Sequence, residues 1–199
     1  MAGKELDTSR KKELFTNNKG PRPFLLIAIV AFITLGIISA FYIFSSGGDE
    51  AFDSPFGEPY AAERSYLGRV VSMTKVEPII GSEQASIPME LLEANEIVYF
   101  EVTNEKGFAV PLMAYITPSG RIFTGSSMCE PCQGRYFSLA GETLVCDTCR
   151  TTYNIETHQF IAGSQDCGSY PPVFMKPTIE NGMVGIALDD ILQWQIRAY

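Results

Sequence analysis

The chain has 199 residues, a net charge of −8 and five cysteines, all between positions 129 and 167. That length holds one modest domain plus an appendage. The charge is lopsided: residues 1–23 carry six Lys/Arg against three acids, and acids prevail in the remainder. A net-acidic body argues against nucleic acid, whose binding needs basic patches that displace counterions.

Residues 1–22 are polar and charged, with no sustained apolar period, and read as a short disordered basic tail. Residues 23–45 read as a single transmembrane helix. Positions 24–44 (FLLIAIVAFITLGIISAFYIF) run without a charge. At about 1.5 Å per residue they span a hydrocarbon core of about 30 Å. The basic tail precedes this anchor, so the positive-inside rule places the N-terminus in the cytoplasm and residues 67–199 outside. Residues 46–66, rich in Gly, Pro and acids, read as a linker.

Short strands begin near Leu67. Residues 69–74 carry β-branched side chains, and residues 87–92, with Pro88 near the start, suit a strand-to-turn connection. Residues 96–103, 109–117 and 121–124 are separated by turn residues and predict an antiparallel meander. Residues 143–145 and 183–188 predict further strands. Residues 189–198 suit a short helix or a strand, with Trp194 inward. No long amphipathic helix is expected, so the class is all-β, a small sandwich or partly open barrel.

The cysteines carry the chemistry. Cys129-Glu-Pro-Cys132 and Cys146-Asp-Thr-Cys149 are two CxxC pairs, and a two-residue gap lets both sulfurs of a turn face one ion. Clustered spacing favours a metal site over a disulfide framework. Two hairpin-like knuckles, with Gly134 and Gly141 permitting tight turns, would deliver four thiolates to one centre. Spacing leaves iron–sulfur and Zn²⁺ both open. Cys167 is the odd fifth thiol, near the site and a less certain ligand. His158, the only histidine, sits in Glu-Thr-His-Gln and reads as a surface turn residue. With one histidine, no Ser/His/Asp set is expected, and no phosphate-binding glycine loop occurs.

The segment from Cys146 through Tyr153 to Gly163 resembles the second half of a Rieske iron–sulfur domain, with cysteines where that pattern has histidines. All-cysteine ligation would give a lower potential than a Rieske centre. A closer resemblance, over about residues 68–190, is to the FtrD-like membrane iron–sulfur family. It rests on Ile87-Pro-Met-Glu-Leu91, on Cys129/Cys132 with Gly134-Arg-Tyr-Phe137, and on Val145 with Cys146/Cys149. Tyr153-Asn-Ile155 and the cysteine and prolines of Cys167-Gly-Ser-Tyr-Pro171-Pro172 extend it. The family's leading glycines before that last cysteine are absent here. The resemblance implies a Rieske-like extracytoplasmic domain holding an iron–sulfur cluster. It also implies electron transfer linked to ferrous iron uptake or a membrane redox system, with a membrane redox or iron-transport protein as partner. Such a chain is an electron carrier or metal-binding protein more than a catalyst. A structural zinc-binding interaction module is the alternative. A CxxC thiol–disulfide oxidoreductase is a second, disfavoured because neither CxxC opens a clear helix.

Overall fold

The computed structural model describes Ile27 and residues 32–36, 54–104 and 107–197. The chain divides into two units, Met1–Phe52 and Asp53–Tyr199. In the first, Ile27 and residues 32–36 are helical. The anchor expected over residues 23–45 otherwise lies outside the described residues. Among the described residues no helix is long and apolar enough to cross a membrane.

The second unit is mostly β-sheet. In chain order its elements are β1 (Val70–Ser72), β2 (Thr74–Lys75), β3 (Ile79–Ile80), β4 (Gln84–Pro88), α1 (Met89–Asn95), β5 (Ile97–Thr103), β6 (Ala109–Ile116) and β7 (Ile122–Ser126). There follow β8 (Phe137–Ala140), β9 (Thr143–Cys146), β10 (Thr152–Asn154), β11 (Phe160–Ala162), α2 (Gln165–Gly168), β12 (Thr178–Glu180), β13 (Met183–Ala187) and α3 (Leu188–Gln193). They make three sheets, ordered β1-β8-β9-β10-β11, β2-β5-β6-β7 and β12-β13-β4-β3. Among the described residues, only the β2–β5 pairing is parallel. The expected meander is β5-β6-β7, antiparallel throughout.

The meander sheet is covered on both faces, which explains why β6 reads AVPLMAYI with little polar alternation. Side chains still alternate along the strand. Val110, Leu112, Ala114 and Ile116 enter one core with Ala85, Ile87, Val184 and Ile186 of the β12-β13-β4-β3 sheet. Met113 and Tyr115 enter a second core with Phe137, Leu139, Leu144 and Tyr153 of the five-stranded sheet. Each fully buried side chain of this size contributes about 1.5–3 kcal/mol. The second core holds three of the five cysteines, Cys129, Cys146 and Cys167, as buried members.

Two local readings change. The strand expected over residues 87–92 begins earlier, as β4, and ends at Pro88. There the fixed φ of −61° starts α1. Met, Glu, Leu and Ala are good helix formers, and Leu92 pins the helix to the first core. Residues 54–66, read as linker, lie against the domain. Phe56 is buried, and the Tyr66 hydroxyl donates to the Ile116 carbonyl at 2.6 Å. Gly120 receives this segment: the N–H groups of Tyr60 and Ala61 both donate to its carbonyl at 2.9 Å. A Cβ there would stand 2.1 Å from the Ala61 carbonyl oxygen, and φ is +79°.

Candidate metal centre

The cysteine pairs sit in two turns closed by an equivalent hydrogen bond. In the first, the Cys129 N–H donates to the Gly134 carbonyl at 2.8 Å; in the second, the Cys146 N–H donates to the Thr151 carbonyl at 2.9 Å. The residue after each second cysteine is left-handed, Gln133 at φ 56° and Arg150 at φ 61°. Stepping seventeen positions along the chain thus maps one knuckle onto the other. The β8–β9 hairpin joins them and fixes their separation, since Phe137 pairs with Cys146. Gly134 lets them touch: a Cβ there would lie 2.7 Å from Thr148 Oγ1 and 3.0 Å from Cys146 Sγ.

The four sulfurs of Cys129, Cys132, Cys146 and Cys149 all lie within 4.8 Å of one another. The short contacts cross between knuckles, Cys129 to Cys149 at 3.7 Å and Cys132 to Cys146 at 3.8 Å. These two distances are equivalent under the same mapping. Cys129 and Cys146 are buried, whereas Cys132 and Cys149 are half-buried and form the outer edge. All five cysteines are free thiols.

Four thiols in contact cannot all ionise in isolation, because each thiolate repels the next. Cys146 is lowered to about 5 by the Cys129 thiol, against burial, with help from the N–H groups of Cys149 and Thr148. Cys129 is raised by its hydrogen bond to Cys146 and by burial. Burial pushes Cys132 up to about 12, although the Gly134 N–H favours its thiolate. A cation between the sulfurs removes the repulsion and makes all four thiolates stable. The arrangement offers ligands and N–H donors to sulfur. Four thiols that face one another at this range are a donor set for a metal.

Cys167, on α2, reaches the rim of the group. Burial raises its thiol, but the neighbouring Cys129 and Cys149 thiols, with Ser164 and Thr151, bring it down below its ordinary value. It is not one of the four mutually close sulfurs. Tyr153 holds it by donating to its backbone carbonyl at 2.7 Å. Met128, Phe137 and Tyr153 are buried around the cysteines, Tyr136 is exposed, and Met113 belongs to the core. Arg135 and Arg150 are exposed, pairing with Glu101 at 3.4 Å and Asp147 at 4.0 Å.

His158 does not lie on the surface. It is buried among Phe56, Tyr115, Phe123 and Tyr153. Its Nδ1 lies 3.2 Å from the Pro172 carbonyl and its Nε2 2.8 Å from the Tyr115 hydroxyl. Burial lowers it to about 4, although the Pro172 carbonyl favours the charged form. The turn was legible, φ being 59°, but the ring folds inward. Sequence also gave no notice of Glu130, inside the first CxxC. It is fully buried and accepts from the Arg197 N–H at 2.9 Å and from Arg197 Nε at 2.9 and 3.0 Å. Arg197 also donates to the Pro171 carbonyl at 2.7 Å. The partners are 67 positions apart, and no local pattern links them.

The family model described as membrane iron–sulfur containing protein, FtrD-like, matches residues 92–197, which include all five cysteines, Glu130 and Arg197. No curated protein matches the chain, and no solved structure matches it.

Proposed function

The chain belongs to the FtrD-like family of membrane iron–sulfur proteins, and on that premise we propose that it is a membrane-anchored electron carrier. Cys129, Cys132, Cys146 and Cys149 hold its iron–sulfur centre. The observation that carries the reading is the convergence of these four sulfurs within 4.8 Å, with one buried and one half-buried cysteine from each knuckle. Bound iron would supply a one-electron couple. The residues do the rest. The buried pair excludes water, and the half-buried pair offers an edge through which a partner exchanges electrons. The N–H groups of Gly134, Thr148 and Cys149 stabilise charge on sulfur and so raise the potential from the low value that four thiolates set.

In this reading the charge-free stretch at residues 24–44 tethers the protein, and the basic tail stays in the cytoplasm. The domain, which we read as Rieske-like, works outside. Its partner is a membrane redox or iron-transport protein, and ferrous iron uptake is the process it serves.

The test is a redox titration of the full-length chain, extracted in detergent without oxygen. The expected result is visible absorption that bleaches with dithionite and returns on reoxidation, one electron per centre. A colourless, redox-silent protein holding zinc would overturn electron transfer and leave a zinc-pinned interaction module. The sulfur spacing suits zinc equally well, which keeps that second reading in view.

A further inference from the structure

We infer that the four-cysteine cage takes a single metal ion, iron in the proposed carrier, and not a cluster of several irons bridged by sulfide. The inference rests on the reading of these cysteines as the metal centre and decides its nuclearity.

A tetrahedral ion with metal–sulfur bonds of about 2.3 Å sets its ligand sulfurs about 3.8 Å apart. The two cross-knuckle contacts are 3.7 and 3.8 Å. No pair of the four exceeds 4.8 Å. A two-iron cluster divides four thiolates between two irons, so four of the six sulfur pairs span both irons and stand about 5.5 Å apart or more. A four-iron cluster separates all six pairs further still. The cage is too small for either.

The surrounding backbone fixes that size. Widening the cage means moving one knuckle away from the other, which the hairpin between them opposes. The β8–β9 ladder runs into the second knuckle at the Phe137–Cys146 pair. Gly134 is packed so closely on Thr148 and Cys146 that a single added carbon would collide. The two knuckles share their closing hydrogen bond and the left-handed residue after the second cysteine.

The test is iron and zinc analysis, acid-labile sulfide and X-ray absorption on the anaerobically extracted full-length chain. The metal-free chain is then reloaded with ferrous iron alone, no sulfide being added. One iron per chain, no labile sulfide, four sulfur neighbours and no second iron sustain both the single-ion cage and the electron carrier. One zinc per chain, with one iron taken up on reloading, sustains the cage and overturns the carrier. Two or more irons with equal sulfide overturn the cage and leave the carrier standing. A chain that binds no metal in either preparation overturns both.

Discussion

The two knuckles share a backbone plan and differ in what braces them. The second, from Cys146 to Thr151, is held by its neighbours in sequence: β9 leads into it, β10 leaves it, and Thr152 pairs with Val145 across it. The first, from Cys129 to Gly134, leaves β7 through a loop and is braced from afar by Arg197 on Glu130. The same Pro171-Pro172 stretch that Arg197 grips is held on its other carbonyl by His158. One half of the centre is therefore local and self-sufficient, and the other depends on the end of the chain. Damage to distant residues should fall on the first knuckle and spare the second.

The largest effect is expected where the two halves meet. Gly134→Val places branched carbons against Thr148 and the Cys146 sulfur. Overpacking of this kind costs about 3 kcal/mol, and chemical denaturation with metal analysis should show lost stability and lost metal together. Next is acidification. His158 is lowered to about 4 from 6.5, so the unfolded chain binds the proton that the folded chain refuses. The stability this secures is complete above pH 6.5, falls away as pH drops towards 4, and is flat below. The full difference is about 3 kcal/mol. Denaturation midpoints across that window should show the slope in the wild type and lose it in His158→Gln.

Arg197→Ala leaves the buried Glu130 carboxylate without its cation. Removing one partner of a buried pair costs several kcal/mol, and with Arg197 itself partly exposed the expected loss is about 2 kcal/mol. Hydrogen exchange should rise at Cys129–Gly134 and stay unchanged at Cys146–Thr151; equal rises in both would erase the distinction drawn here. The smallest effect belongs to Arg150→Ala. Its 4.0 Å contact with Asp147 is on the surface, and pairs of that sort contribute under about 1 kcal/mol. The denaturation midpoint should barely move, since the second knuckle needs no such help.

The same contrast explains what could be read without a structure. The second knuckle was legible because its cysteines follow a short strand, Thr143–Cys146, whose pattern is local. The meander was legible because β5, β6 and β7 are apolar runs separated by turn residues. Two-residue strands such as β2 and β3 were not, because so few side chains carry no period and the pairing that defines them is set elsewhere. Glu130 and His158 look like surface residues by type. Each is buried only because a distant group, Arg197 or the Pro172 carbonyl, satisfies it there. The pocket that takes Phe56 is likewise made by distant residues, Phe123 and Phe174.

The most direct test of the four-cysteine centre is native mass spectrometry of the full-length chain, released from detergent without oxygen, with each cysteine changed to alanine in turn. The structure places Cys129, Cys132, Cys146 and Cys149 in one mutually close group and Cys167 at its rim. The expected result is one metal ion on the wild type and on Cys167→Ala, and none on the other four variants. Retention of the ion by any of those four, or its loss from Cys167→Ala alone, would contradict the assignment.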